Sequence, residues 1–485
     1  MKQFIQSRRR NNIIVLKIRA VAVNLSCLLL VMFYIAQCFS QVRSVNSKEQ
    51  GCGVTYKNSI PYFRQIQNNL RILHPQRDSL QAASQNNLSV LTPTVKFSWP
   101  LKPIDVDNFT YYRMSNYVDL EPDTVLRDSQ GNYLSGLKDY QCGVRTYDGH
   151  NGLDIVLSPY PWLTMSNKKV AVIAAADGII VGGSDAHYDH NCDLDNIIGP
   201  AWGNWLAIEH SDGTVSTYLH MKILTVIPFV IGQVIKAGDF IGYVGSAGRS
   251  TTPHLHFGVY INNFFNSDGS WGQGNGTLTE PFNGSCNNSL PTFWQTQKPY
   301  NEPSVISIET HHSAPQLYSD FCDTTINLYF DKTFSAGNTV YTRTWIRDWV
   351  DGSSVLVQLI NPSGTSISSI MATNGSDRER NVDANFSLSA LAPSGVYTVR
   401  VTFDGKIWER YFTVGCTQNF TLSGTLTGPD GYIAGNNITT THVIESGAAI
   451  RVEYHSDVEV VFKPGFHAKA GSTVIADRKG CTGAY

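Results

Sequence analysis

The run Pro253-His254-Leu255-His256-Phe257-Gly258-Val259 constrains this chain more than any other stretch, because it reads as a strand with two unlike faces. Side chains on a strand alternate between faces, so residues two apart share one. His254 and His256 therefore point the same way, Leu255, Phe257 and Val259 form the opposite, apolar face, and Gly258 is expected to leave open space beside the histidines. Such a strand packs a core on one side and does chemistry on the other. Far upstream stands Gly149-His150-Asn151-Gly152-Leu153-Asp154. His150 and Asp154 are spaced for one face of a helix, but Gly149 and Gly152 interrupt the stretch and weaken any helix there. A loop running into a strand is expected.

Two imidazoles and one carboxylate make the three-ligand set of catalytic zinc centres, in which the fourth position is kept for water or substrate. A closed structural site would use four ligands, usually including cysteine. The donor set suits zinc better than magnesium or calcium, which favour oxygen shells, and leaves iron and cobalt open.

Between and around these strings run Phe97-Ser98-Trp99-Pro100-Leu101, Val172 to Gly178 (VIAAADG), Ile208-Glu209-His210, Thr217-Tyr218-Leu219-His220, Gly232-Gln233 and Gly238. In this order, from Phe97 to Ile261, the chain resembles the lysostaphin-type (LytM) zinc endopeptidases. The resemblance implies that His150, Asp154 and His256 bind one Zn2+ per chain. It also implies that His254 and His220 act at the metal-bound water and the transition state. The chain departs from the family at Thr252, where Gly is usual, and at Gly258, where Glu is usual. Zinc lowers the pKa of its bound water to about 7 and polarises a carbonyl. A histidine titrating near 6.5 can take or give a proton at that pH. His254 is assigned to the water, and His220 to the developing oxyanion or the leaving amine.

At 485 residues the chain has room for about three domains. Residues 1–40 read as an export signal: Arg8, Arg9, Arg10, Lys17 and Arg19, an apolar stretch from Ala20 to Ala36, then Cys38-Phe39-Ser40 before Gln41. An uncleaved membrane anchor is the alternative; a lipid anchor through Cys38 is disfavoured by Gln37. Without the signal the chain carries 31 basic against 39 acidic residues, a formal net of −8, which argues against nucleic acid and anionic membrane as partners. A secreted, periplasmic or cell-envelope bacterial location follows. Seven cysteines remain, with no C-x-x-C pair, and export favours disulfides. Cys322 with Cys416 is the expected pair, followed by Cys52 with Cys142 and Cys192 with Cys286.

His187, His190 and Cys192, among Asp185, Asp189, Asp193 and Asp195, could suggest a second metal. They fall in an insertion between strands and lack apolar framing, so a solvated loop is expected.

The fold class expected is mainly β. Residues 41–95 are polar, with a short helix near Tyr62 to Leu73, and their role is not legible. Residues 96–300 form the antiparallel-sheet peptidase domain of lysostaphin type, with strands from runs such as Val170 to Ile173, Trp205 to Glu209 and Thr214 to Leu219. Residues 314–416 suggest an immunoglobulin-like β-sandwich: Ile326 to Phe330, Ser354 to Ile360, and Val396 to Phe403 joined by Asp404-Gly405 to Ile407 to Phe412, a two-residue hairpin signal. Residues 417–485 resemble PGF-A-GS tails of secreted bacterial proteins, which form a few turns of β-rich coil, and His455 and His467 there are expected on the surface.

The function expected is a secreted zinc endopeptidase hydrolysing peptide cross-links or bridges of cell-wall peptidoglycan through a zinc-bound water. The C-terminal β domains would position it by carbohydrate or wall contact. The alternatives are an endopeptidase for Gly-rich proteins or competitor cell walls, and a non-catalytic wall-binding scaffold or hydrolase activator.

Overall fold

The computed structural model describes residues 94–477 except 123–125, 128–132, 262–276, 317–325, 374–376, 416–418, 435, 448–449 and 457. The expected signal, the helix near Tyr62 and the Cys322–Cys416 pair lie outside the described residues.

The first strands are β1 (Leu101–Pro103), β2 (Tyr112–Asn116), β3 (Leu126–Arg127), β4 (Tyr133–Ser135) and β5 (Leu153–Leu157). The short helix α1 (Pro161–Ser166) follows, then β6 (Val170–Ile173), β7 (Gly178–Ser184), β8 (Asn204–Glu209), β9 (Val215–Met221), β10 (Val234–Ile235), β11 (Phe240–Tyr243), β12 (His254–Ile261) and β13 (Thr277–Thr279). An eight-stranded sheet runs β10-β7-β8-β9-β12-β5-β2, with β13 added to β12, and its pairs are antiparallel. A second, three-stranded sheet runs β1-β6-β11. Leu153, Ile155, Leu157, Leu255, Phe257 and Val259 from the large sheet share one buried core with Leu101, Val170, Val172 and Ile241 from the small one. Removing these side chains from water drives the pairing of the sheets. The other face of β5 and β12 therefore carries Asp154, His254 and His256.

Three expectations change here. Gly258 is packed rather than open: a β-carbon there would lie 2.6 Å from Thr217 Oγ1. Cys142 is bonded to Cys286, because the turn at Asp139–Gly143 sits against a second turn where Cys286 N donates to Tyr140 O at 2.9 Å. Cys52–Cys142 and Cys192–Cys286 are thereby excluded. The 187–195 insertion is anchored rather than simply solvated, since Asp189 is buried and pairs with Lys222 at 3.3 Å, and His190 stacks on Trp162 with ring centroids 4.3 Å apart.

The next unit is a two-sheet sandwich. Its strands are β14 (Ser304–His311), β15 (Thr333–Phe334), β16 (Thr339–Trp349), β17 (Ser354–Ile360), β18 (Ser366–Thr373), β19 (Asp377–Ser387), β20 (Gly395–Phe403) and β21 (Lys406–Val414). The sheets β14-β16-β19 and β15-β21-β20-β17-β18 enclose a core that includes Val305, Ile346, Val357, Phe386, Val399 and Phe412. It begins at Ser304, ahead of the expected 314. Asp404 and Gly405 take φ of 48° and 69°, the left-handed pair of a two-residue hairpin. Ile326 to Phe330 is not a strand: Tyr329 has φ 53°, which breaks the extended run, and Phe330 makes one isolated bridge to His311.

Residues 419–477 coil into a solenoid. Each turn places one strand on each of three parallel sheets, β22 (Asn419–Leu422), β23 (Thr425–Leu426) and β24 (Asp430–Ala434), then β25 (Asn437–Thr440), β26 (Val443–Ile444) and β27 (Arg451–Ser456), then β28 (Glu459–Phe462), β29 (His467–Ala468) and β30 (Thr473–Asp477). His467 is exposed, but His455 is buried between Glu453 at 2.9 Å and Asp477 at 2.6 Å, because an acid stands at the facing register position of the next turn.

The sandwich is joined to the peptidase sheet by buried and half-buried polar contacts. Arg145 pairs with Asp348, Arg113 with Glu379 at 2.5 Å, and Tyr160 OH donates to Glu309 at 2.6 Å. Arg347 donates to the Tyr112 carbonyl at 3.1 Å.

Candidate metal centre

Four local features bring the five sequence-predicted residues together. His150 ends a tight turn, its N–H donating to Tyr147 O at 3.0 Å, and Gly149, with φ 72°, donates to Asp119 Oδ2 at 3.0 Å. Asp154 follows on β5, directly opposite His256 on β12. His254 begins β12. His220 lies near the end of β9, where Leu219 opposes His256, so strict alternation would send His220 to the core beside Tyr218. Its φ of 63° turns it back, and its ring centroid lies 4.8 Å from that of His254. A non-glycine residue in the left-handed region is sterically costly, and here that backbone conformation brings His220 beside His254 and His256.

Asp154 Oδ1 is the hub. It lies 3.1 Å from His150 Nε2, 3.0 Å from His256 Nδ1 and 3.4 Å from His254 Nε2. Three rings have their other nitrogen fixed by a backbone carbonyl, which can only accept: His150 Nδ1 donates to Tyr117 O at 2.6 Å, His254 Nδ1 to Thr252 O at 2.7 Å and His220 Nδ1 to Ala247 O at 2.7 Å. With that proton on Nδ1, each of the three rings turns its Nε2 toward the site.

Burial opposes charge on Asp154, but the imidazoles of His150 and His254 hold its carboxyl well below the usual carboxylate range. Burial pushes His220 well below the ordinary histidine value, helped by the neighbouring His254 and His256, and lowers His256 as well. Burial opposes charge on His150 as well, but Asp154 raises it above the ordinary histidine value, so a metal would bind there in place of a proton.

The residues fit a metal ion. His150, Asp154 and His256 offer donor atoms within 4.8 Å of one another, and they form the one such cluster among the described residues. A tetrahedral shell with bonds of about 2.0–2.1 Å has edges of roughly 3.3 Å, close to the Asp154 separations. His150 Nε2 is buried without a hydrogen-bond partner. His187, His190 and Cys192 do not assemble with it.

Sequence reasoning missed Asn116, whose Nδ2 donates to Asp154 Oδ2 at 3.1 Å, and Glu280, a buried carboxyl pushed up to about 8 by its burial. Asn116 is visible only once β2 is paired with β5. Glu280 accepts from Val118 N at 3.0 Å and Phe282 N at 2.8 Å, holding the segment that carries Tyr117.

Residues 149–267 match the model of peptidase family M23. The chain carries a peptidase family M23 domain of lysostaphin type. Lysostaphin of Staphylococcus staphylolyticus is 34% identical over 107 residues, covering 20% of each chain. The peptidoglycan DD-endopeptidase ShyB of Vibrio cholerae is 42% identical over 64 residues, covering 13% of this chain and 14% of that protein. Glycyl-glycine endopeptidase ALE-1 of Staphylococcus capitis is 30% identical over 141 residues, covering 27% and 35%. The chain thus spans about a third or less of the length of these relatives. The M23 match contains all five site residues but not Asn116, and it stops before the sandwich.

Proposed function

We propose that this chain is a zinc endopeptidase that hydrolyses peptide cross-links or bridges of bacterial peptidoglycan. The observation that carries the reading is the convergence of His150 Nε2, Asp154 Oδ1 and His256 Nδ1 on one buried point, with two further imidazoles beside it. Those three atoms would hold one zinc. When bound, zinc supplies a Lewis acid and makes water available as a nucleophile near neutral pH.

The protein's own part is orientation and proton transfer. His254 Nε2, with Nδ1–H tied to Thr252 O, accepts the proton of the attacking water. His220, tied to Ala247 O, faces the same space, where a proton on Nε2 stabilises the developing oxyanion or passes to the leaving amine. Burial keeps His220 neutral at rest, so the proton it passes to the amine is the one His254 takes from the water, relayed between rings whose centroids lie 4.8 Å apart.

Peptidoglycan is favoured by the activities of the relatives, a DD-endopeptidase and a glycyl-glycine endopeptidase among them. The second of these also supports the reading in which Gly-rich proteins or competitor walls are cut. A wall-binding scaffold without activity is disfavoured because all five residues are present. A secreted, periplasmic or cell-envelope location is part of the proposal, and the Cys142–Cys286 disulfide suits an oxidising compartment. The sandwich and solenoid would add wall or carbohydrate contacts.

The test is digestion of purified peptidoglycan by the zinc-loaded full chain, with mass spectrometry of the released muropeptides. New amine termini within the peptide part are expected. Release of sugar fragments alone, or of nothing, would overturn the reading.

A further inference from the structure

Strand β2 forms the edge of the large sheet beside β5, and its pairing is irregular next to the metal centre. The register runs Tyr112 to Leu157, Arg113 to Val156 and Met114 to Ile155, then skips Ser115 and resumes with Asn116 opposite Asp154. A bulge of this kind leaves one residue outside the ladder and re-aims the next side chain. Here it sets Asn116 against Asp154, with Nδ2 donating to Oδ2 at 3.1 Å.

The bulge is held from the sandwich. The carbonyl of Ser115 accepts a hydrogen bond from Nη1 of Arg378, on β19, and the same Nη1 lies 3.4 Å from Asn116 Oδ1. A guanidinium only donates and a carboxylate only accepts. Between Arg378 and Asp154, then, the Asn116 amide has one satisfactory orientation, Oδ1 to the arginine and Nδ2 to the carboxylate. Glu379, the next residue on β19, accepts from Arg113 Nε and from Ser158 Oγ, both at 2.5 Å, and so grips β2 and the residue just after β5 together.

The geometry points to Arg378 and Asn116 as positioning residues for the metal centre, with the sandwich supplying part of the peptidase's own site. Asn116 occupies Oδ2 of Asp154. Oδ1, the atom 3.0 Å from His256 Nδ1 and 3.1 Å from His150 Nε2, is left for the metal. Arg378 acts through Asn116, by fixing the bulge and the amide. Groups that orient metal ligands in this way typically govern affinity by roughly 10–100-fold. The inference rests on the zinc reading of the site. It goes beyond that reading by placing a determinant of the metal centre on a domain outside the matched family segment.

The experiment measures zinc affinity of the full chain by chelator competition, a readout independent of hydrolysis. Arg378→Ala and Asn116→Ala should each weaken zinc by roughly 10–100-fold, and the double variant should be no weaker than Asn116→Ala alone, because Arg378 works through that amide. Asp107→Asn loosens the same domain junction at Arg410, away from Asn116, and should leave affinity unchanged. Should Arg378→Ala fail to fold, Asn116→Leu carries the test, since it keeps the Arg378 bond to Ser115 O. Wild-type affinity in Arg378→Ala or in either Asn116 variant would overturn the inference, as would additive losses in the double variant or an equal loss in Asp107→Asn. Absence of zinc binding by the wild-type chain would instead overturn the metal centre itself.

Discussion

The imidazole of His256 packs against Gly152 so closely that a β-carbon at that position would overlap its Nε2 edge. The turn that ends in β5 thus needs glycine for packing, since it leaves His256 free to aim Nδ1 at Asp154. Gly152→Ala should push the ring away from Asp154. Overpacking of this kind costs about 1–3 kcal/mol, and here part of it falls on the ligand set. Zinc content well below one per folded chain is expected by metal analysis. Full zinc in a variant with unchanged melting would show that the ring has another way to fit.

Ligands and proton-transfer groups should separate cleanly. His150→Ala, Asp154→Ala and His256→Ala each remove one of three donors and should strip zinc, because the remaining pair competes poorly with chelators. His220→Ala and His254→Ala should keep zinc and lose hydrolysis by roughly two to four orders of magnitude, the scale of a positioned acid or base. Metal analysis beside turnover on one soluble peptide makes the comparison. Wild-type turnover in either of the last two removes that residue from the mechanism.

The strands of the site were legible because their chemistry is local. Alternation along His254 to Val259 and the glycines around His150 dictate a two-faced strand and a turn, whatever surrounds them. His220 was reached through its family motif, and alternation alone would have buried it in the core, since only its φ of 63° turns it toward His254 and His256. Asn116 and Arg378 carry no sequence signal: one depends on a bulge, and the other on a domain contact between positions 262 apart. The pairing of Cys142 with Cys286 is likewise set by two turns meeting in space. His455 looked like a surface histidine because one of the two acids that hold it, Asp477, comes from the next turn of the solenoid, while Glu453 stands two residues earlier on its own strand.

The sandwich reads in sequence as a separable module, and the structure ties it in. The Arg145–Asp348 pair has both side chains less than one-tenth exposed, and Asp348 also accepts from Glu302 N at 2.8 Å. Removing one partner of a buried pair leaves the other charge uncompensated, at a cost of about 3–5 kcal/mol. Asp348→Ala should therefore lower the unfolding free energy by that order. Because Arg145 lies on the segment leading to His150, zinc affinity should fall as well. Denaturant titration checks the first and chelator competition the second. A truncation after Tyr300 that keeps full stability and zinc affinity would refute the structural coupling of the two domains.

In the solenoid, burial pushes the Asp430 carboxyl up to about 7, although it accepts hydrogen bonds from Tyr432 OH at 2.5 Å and Gly431 N at 2.7 Å. The fold therefore prefers this acid protonated. Unfolding returns it to an ordinary carboxyl, which ionises near pH 4. Between about pH 4 and 7 the folded chain binds more protons at this position than the unfolded one, so its contribution to stability is full at the acid end and is lost as pH rises through that window. The whole effect is on the order of 4 kcal/mol at most, at about 1.4 kcal/mol per tenfold change in acidity. Asp430→Asn, which cannot ionise, should melt close to the wild-type chain near pH 4 and above it at pH 8. Melting temperatures of the two proteins across that range provide the measurement, and a difference that stays constant with pH would mean that Asp430 is already charged within the fold.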